Sequence, residues 1–105
     1  MKRTLKAVTL SALLAASFQA AATHEVNGII VDRIDVDPTD VVVLTNTGNG
    51  CGSQFFHLPR TNQNFKEMYA LLFLAFKNQV PINFAVQDTC QGDRSFISHG
   101  SMGNG

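Results

Sequence analysis

The stretch from Asn62 to Gln79 most constrains the fold, because its apolar residues recur at the spacing of an amphipathic helix. At about 100° per residue, one broad arc of this helix is apolar. Its members are Phe65, Met68, Tyr69, Leu72, Ala75 and Phe76. Asn62 or Asn64 can cap the N-terminus. The pattern predicts the single helix of the mature chain, lying with this arc over a core.

The same helix is apolar over more of its circumference than one core contact needs. Leu71 and Leu74 fall on the side away from the arc described above. An apolar stripe of this kind is unusual on a monomer. We therefore expect Leu71 and Leu74 to form the interface of a homo-oligomer, with a cyclic arrangement as the closed symmetric solution.

Residues 1 to 22 have the pattern of a secretory signal peptide. Three basic residues precede an apolar run from residue 7 to 18, which is followed by Gln19 and three alanines. The run is shorter than the roughly 20 residues of a membrane-spanning helix. Cleavage after Ala22 would leave 105 − 22 = 83 residues. We expect an exported protein, periplasmic or secreted, with one domain over residues 23 to 99 and a flexible tail over 100 to 105.

Removal of the signal changes the charge of the chain. It takes away three of the eight basic residues and none of the eight acidic ones, so the mature charge is 5 − 8 = −3. Nucleic-acid binding depends on a basic surface, and we expect no such partner. A domain of this size buries a limited core and commonly needs a covalent link or an oligomer.

Cys51 and Cys90 are the two cysteines of the chain. In an exported protein they predict a disulfide. Closing a loop of about 40 residues stabilises the fold by roughly 4 kcal/mol in the chain-entropy estimate. A metal pair or a catalytic cysteine is the alternative, but neither cysteine has a second ligand or a base at suitable spacing.

The segments around the helix alternate as strands do. Five strands are predicted: 26–36, 41–45, 53–58, 80–87 and 94–98. In the first, Ile29 and Val31 share one face, whereas Ile34 and Val36 share the other. A β-bulge near residues 32 and 33, or a division into two shorter strands, would return both pairs to the core.

Three strands, one helix and two strands follow one another in this chain. That order is shared by the OB-fold, a five-stranded Greek-key barrel with its helix between the third and fourth strands. We therefore expect a mainly β fold with one helix, of OB-like barrel form. An unrelated α+β roll with the same element order is the alternative.

Candidate chemical groups are few. The chain has three histidines: His24, His57 and His99. None of them has a Cys, Asp or Glu at the spacing of a metal site. The densest acidic cluster consists of Asp32, Asp35, Asp37 and Asp40. It lacks the glycine and the terminal Glu of an EF-hand calcium loop. We interpret it as a solvated strand edge and turn. No catalytic set, metal site or cofactor is expected, so the chain is interpreted as a non-enzyme.

Three short segments resemble the B subunits of the subtilase cytotoxin and typhoid toxin type. They are Asn64-Phe65-Lys66-Glu67-Met68 at the start of the helix, Lys77-Asn78-Gln79-Val80-Pro81-Ile82 after it, and Phe84-Ala85-Val86-Gln87 in the next strand. That family consists of exported OB-fold proteins that form pentamers and bind host glycans.

The resemblance implies an exported module that binds a glycan or glycoprotein as a ring-shaped homo-oligomer. The family's sugar site uses a Ser beside an aromatic and acidic segment before the first strand. Here Thr23-His24-Glu25-Val26-Asn27 contains neither Ser nor Tyr, so no sugar-binding residue is carried over. The alternative is a periplasmic structural or inhibitory domain that docks another protein through the helix.

Overall fold

Residues 22 to 103 are described by a computed structural model of the chain. Apart from Ala22, the predicted signal segment lies outside this range, as do the last two residues of the tail. The described part contains six strands and one helix: β1 (Thr23–Ile29), β2 (Val31–Val36), β3 (Asp40–Thr45), β4 (Phe55–Pro59), α1 (Phe65–Asn78), β5 (Ile82–Gln87) and β6 (Ser95–Ser101). The fold is therefore mainly β with one helix, as the element order predicted.

The six strands form one sheet in the order β1-β5-β6-β4-β3-β2. All neighbours are antiparallel except β4 and β6, which are parallel. β1 and β2 follow each other in the chain, separated by Ile30, yet they lie at opposite ends of this order. The bent first segment thus joins the two ends of the sheet and gives an OB-like barrel.

Both features considered for the first segment are present. The segment divides into two strands at Ile30, and the pairing of β2 with β3 shifts register between Val31 and Arg33. This bulge places Ile34 opposite the core residue Val43, where it packs against the core. Val36 lies near the end of the strand and stays 59% exposed.

The core fills the space between the sheet and the helix. Its fully buried members include Val31, Val41, Val43, Phe56, Leu58, Leu72, Ile82, Phe84, Val86 and Ile97. Phe56 of β4 and Phe84 of β5 meet edge to face with ring centroids 5.2 Å apart. This aromatic contact joins strands from the two halves of the sheet.

The helix packs with a different rotation from the one that its sequence suggested. Its buried residues are Met68, Leu72 and Ala75. Leu71, expected to point away, is half-buried against the core, whereas Phe76, expected in the core, is 37% exposed. With 3.6 residues per turn, this is a rotation of roughly 40°. Leu74 is 46% exposed, on the outer side as predicted.

The ends of the helix are fixed by side chains that bond to strands. Asn64 occupies the N-cap position but its side chain does not cap the helix. Instead, the amides of Asn62 and Asn64 donate to the carbonyls of Ile97 and Ser98 in β6. At the other end, Gln79 adopts a left-handed conformation and donates to a backbone carbonyl at the start of β2. Among residues 22 to 103, no helix has the length and apolarity needed to cross a membrane.

The last strand extends further than predicted. Gly100 and Ser101 belong to β6, and Met102 packs against the core. Residues 100 to 102 are therefore part of the domain, which corrects the prediction of a flexible tail at these positions. Gly100 is required by close packing, since a Cβ there would lie 2.7 Å from the Asn83 carbonyl oxygen and 2.7 Å from Cε of Met68.

Candidate functional site

A groove lies on the outer face of β2, β3 and β4, between the 37–39 turn and the 88–94 loop. Its volume is about 590 Å³, within the range of roughly 300 to 1,000 Å³ that is usual for ligand sites. We call it the polar groove. It is lined by Ile34, Asp35, Val36, Asp37, Val42, Ser53, Phe55, His57, Asp93 and Arg94.

Strand register explains why three of the lining side chains, from three different strands, share the outer face. Val42 of β3 is paired with Asp35 of β2 on one side and with His57 of β4 on the other. Residues opposite each other project to the same face, so these three form a row across the sheet. Phe55, two residues before His57, lies on the same face and carries the Arg33 guanidinium 5.6 Å from its ring centroid.

His57 and Asp40 form a hydrogen-bonded pair beside the groove. The Nδ1 atom of His57 is 2.7 Å from Oδ2 of Asp40, and the two side chains are only 14% and 12% exposed. The Thr39 hydroxyl donates to the other carboxylate oxygen at 3.0 Å. The acidic cluster is therefore not uniformly a solvated edge, as the sequence suggested, because Asp40 is buried with a partner.

The two loops at the rim of the groove are joined covalently. Cys51 and Cys90 form a disulfide with their Cα atoms 5.7 Å apart. This confirms the predicted pairing. Cys51 lies in the loop between β3 and β4, and Cys90 lies in the loop between β5 and β6. The bond therefore links the loop that carries Ser53 to the loop that carries Asp93.

Asn49 fastens the same two loops by hydrogen bonds. Its side-chain nitrogen donates to the carbonyls of Phe55 and Asp93 at 2.7 and 2.9 Å. Its side-chain oxygen accepts from the backbone N–H groups of Cys51 and Ser53 at 2.7 and 3.1 Å. Asn49 is only 2% exposed. All the hydrogen-bonding capacity of this amide is thus used to hold the rim of the groove.

Other polar groups at the groove remain free for a ligand. Within residues 22 to 103, the side chains of Asp37, Asp93 and Arg94 make no hydrogen bond or ion pair. Asp35 is paired with Arg33 at 3.1 Å in an exposed position. The groove therefore offers carboxylate acceptors, a guanidinium donor and a hydroxyl group around two aromatic rings.

The remaining histidines lie elsewhere. His24 in β1 pairs with Asp88 at 2.6 Å in an exposed position, and His99 in β6 is exposed. In the part of the chain that the structure describes, no three His, Cys, Asp or Glu side chains are grouped so that they could hold a metal ion. Ser53 and His57 both line the groove, but no hydrogen bond joins them among the described residues.

A second surface of interest is the outer side of α1. Four large apolar residues are exposed in the described structure, and three of them belong to this helix: Phe73 at 50%, Leu74 at 46% and Phe76 at 37%. We call these three the helix patch. The predicted interface pair is divided, since Leu74 lies in the patch and Leu71 packs against the core.

Sequence reasoning did not find the residues that form the polar groove. The register of the β3–β4 hairpin could have indicated the His57–Asp40 pair. Val42 is the strand partner of His57, and Asp40, two residues before Val42, lies on the same face. Nothing local indicates that Asn49, in a glycine-rich loop, meets the carbonyl of a residue 44 positions away. The chain matches no protein-family model and no curated protein.

Proposed function

We propose that this chain is an exported, non-enzymatic binding module that holds a neutral glycan in the polar groove. The observation that carries this proposal is the position of the groove. OB-folds bind oligonucleotides and oligosaccharides on the face of their second and third strands, between the loop joining strands one and two and that joining strands four and five. The polar groove occupies this face and is bordered by the equivalent 37–39 and 88–94 segments.

Charge favours a saccharide over a nucleic acid. Asp35, Asp37 and Asp93 line the groove, with Arg94 as the single basic residue in the lining. Phosphate backbones are bound by basic surfaces, so this lining would repel them. The same carboxylates disfavour sialylated glycans. They suit the hydroxyl groups of a neutral sugar, which donate to carboxylate oxygens.

The rigid rim also supports a small polar ligand. A hydroxyl-rich ligand loses little on leaving water only if its partners are already in place. The disulfide and Asn49 hold the backbone that carries Ser53 and Asp93. The resemblance of the helix and its following strand to glycan-binding toxin B subunits adds support for the ligand class. It assigns no residue of the groove.

A glycan array with neutral, amino-sugar and sialylated glycans tests the proposal. We expect selective binding to neutral glycans, and Asp93→Asn should weaken it by about tenfold, which corresponds to about 1.4 kcal/mol. Asp88→Asn is the matched control, since it makes the same change in the same loop outside the groove lining. Uniform signal over all glycans, or equal effects of the two variants, would contradict the proposal.

The non-enzymatic part of the proposal has its own test. A His–Asp pair such as His57–Asp40 can orient a general base, but a nucleophile must also lie within hydrogen-bond reach of it. Ser53 instead accepts from the Phe55 N–H at 3.1 Å. We expect a bound oligosaccharide to be recovered at its original length after prolonged incubation. Shortened products that disappear in a His57→Ala variant would show that the chain is a hydrolase.

Export is proposed from the basic and apolar start of the sequence together with the disulfide. β1 begins at Thr23, so cleavage after Ala22 would leave the first strand whole. Intact mass of the isolated protein should correspond to residues 23 to 105 with a deficit of about 2 Da for one disulfide. Free thiols at Cys51 and Cys90, or a retained N-terminus, would contradict it.

A second proposal concerns assembly, and the helix patch favours it. A large aromatic side chain buries about 150 to 250 Å² of accessible surface when it is fully covered. The three partly exposed side chains of the helix patch could therefore bury roughly 250 to 300 Å² in an interface. Stable interfaces cover about 800 Å² per partner. We infer that the helix patch forms the centre of a larger homo-oligomeric interface, with a closed ring such as a pentamer as the expected form.

Light scattering after size exclusion tests the assembly. Leu74→Glu should dissociate the oligomer because it places a charge in the shared apolar contact, while the monomer stays folded. Thr61→Glu adds the same charge to an exposed position before α1 and should leave the oligomer intact. A wild-type monomer at micromolar concentration would contradict self-association. It would favour the alternative that the helix patch docks a different protein.

A further inference from the structure

A second cavity lies beside the start of α1, with a volume of about 360 Å³. It is lined by Asn62, Gln63, Asn64, Gln87, Ser98 and His99. The lining has four amides, one hydroxyl and one imidazole, without any carboxylate, lysine or arginine. We call it the amide cleft. Amides and hydroxyls both donate and accept hydrogen bonds, which suits a neutral ligand with many hydroxyl groups.

Two of these amides are held in fixed positions. The side-chain nitrogens of Asn62 and Asn64 donate to the carbonyls of Ile97 and Ser98 at 2.9 and 3.1 Å. Their side-chain oxygens make no other hydrogen bond within residues 22 to 103, so they remain available as acceptors. The amide cleft is thus partly preorganised by the bonds that fasten the helix to β6.

The amide cleft and the polar groove lie on the same outer face of the sheet. His57, which lines the groove, is paired with Phe96 of β6, and their ring centroids are 5.8 Å apart. Ser98, which lines the cleft, stands two residues after Phe96 at the register shift between β5 and β6. Because Ile97 between them is fully buried, Phe96 and Ser98 both lie on the outer side of β6. One strand spacing of about 4.8 Å and two residues of about 3.3 Å each separate His57 from Ser98 by roughly 8 Å.

Phe96 is therefore a half-buried aromatic ring between two polar cavities. We propose that a single linear, neutral oligosaccharide runs from the polar groove across Phe96 into the amide cleft. This inference rests on the proposed glycan-binding function and specifies its ligand as an internal stretch of several sugar units. Phe96 would support a sugar ring through its apolar face, and the amide cleft would bind the hydroxyl groups of units further along the chain.

Titration calorimetry with oligosaccharides of one to six units tests this length requirement. The probes are β-1,4-linked glucose, β-1,4-linked N-acetylglucosamine and α-1,4-linked glucose. In any series that binds, affinity should rise by about tenfold or more from two units to five. Gln63→Ala, an exposed change in the amide cleft, should remove most of this gain and leave the affinity for two units unchanged. Gln54→Ala, an exposed glutamine that lines neither cavity, is the control.

The possible outcomes separate this inference from the proposed function. If Asp93→Asn weakens binding while affinity does not depend on length, or Gln63→Ala behaves like Gln54→Ala at every length, the extended site is wrong and the glycan-binding function stands. If none of the three series binds, the extended site for a linear neutral oligosaccharide is wrong, and if the glycan array also shows no selective ligand, both proposals fail. Phe96→Ala should reduce affinity for long chains more than for short ones, and an equal loss at all lengths would contradict its bridging role.

Discussion

The polar groove and the helix patch are both exposed, but they are built in different ways. The rim of the groove consists of loops held by a disulfide and by the buried amide of Asn49. The helix patch projects from α1, which is anchored from its other side by Met68, Leu72 and Ala75. Loops contribute little apolar burial, so their order depends on specific bonds, whereas a packed helix presents its outer residues without further support.

This difference predicts that substitutions in the two regions have different effects on stability and association. Changes at the rim should affect stability and groove geometry together, because the same bonds provide both. Changes in the helix patch should affect association and leave the monomer unchanged. Four sets of variants test this separation, in descending order of the change in the free energy of unfolding.

Loss of the disulfide should have the largest effect. Replacing Cys51 with Ser should lower the free energy of unfolding by about 2 to 5 kcal/mol, the usual cost for a small exported domain. Urea denaturation would measure it, with the reduced wild-type protein as a comparison. A change in melting temperature of less than a few degrees would show that the rim does not depend on this bond.

Asn49→Ala should cost about 2 to 3 kcal/mol, since it leaves several backbone groups of the rim without their partner. Asn49→Asp keeps the oxygen that accepts from Cys51 and Ser53 but loses both donations from Nδ2, and it also buries a charge. Denaturation of both variants should therefore show a loss. Wild-type stability in Asn49→Ala would mean that the loops are ordered without this amide.

The two His–Asp pairs provide the next test. His57→Ala should cost about 1 to 3 kcal/mol, because it leaves one oxygen of the buried Asp40 carboxylate without its hydrogen-bond partner. His24→Ala removes an exposed pair, with side chains 52% and 49% exposed, and should change stability by less than about 0.5 kcal/mol. Parallel urea denaturation compares the two. Equal effects would contradict the structural importance assigned to the pair beside the groove.

Leu74→Ala should have the smallest effect on the unfolding of the isolated domain, less than about 0.5 kcal/mol. Leu72→Ala, two residues earlier in the same helix, should cost about 2 to 5 kcal/mol because that side chain is fully buried. Urea denaturation at a protein concentration where the chain is monomeric measures the unfolding of the domain without any contribution from association. A large loss in Leu74→Ala would place Leu74 in the core.

Several features of the fold could be predicted from local pattern in the sequence. The helical period located α1, and the alternation of apolar residues located the strands. The change of phase after Val31 predicted either a bulge or a division into two strands, and the structure contains both. Two cysteines allow only one intramolecular pair, so the disulfide also followed from the sequence. These conclusions hold because neighbouring residues alone fix periodicity and chain order.

Other features depend on contacts between segments that are distant in the sequence, and local pattern did not predict them. The apolar arc of α1 is too broad to define its centre, so only packing on the sheet could bury Leu71 and expose Phe76. The pairing of His57 with Asp40 arises from the register of two strands, and the role of Asn49 arises where two loops meet. The polar groove depends on the same kind of contact, because its lining comes from several segments that are distant in the sequence. Local conformational preferences do not predict that these segments lie together.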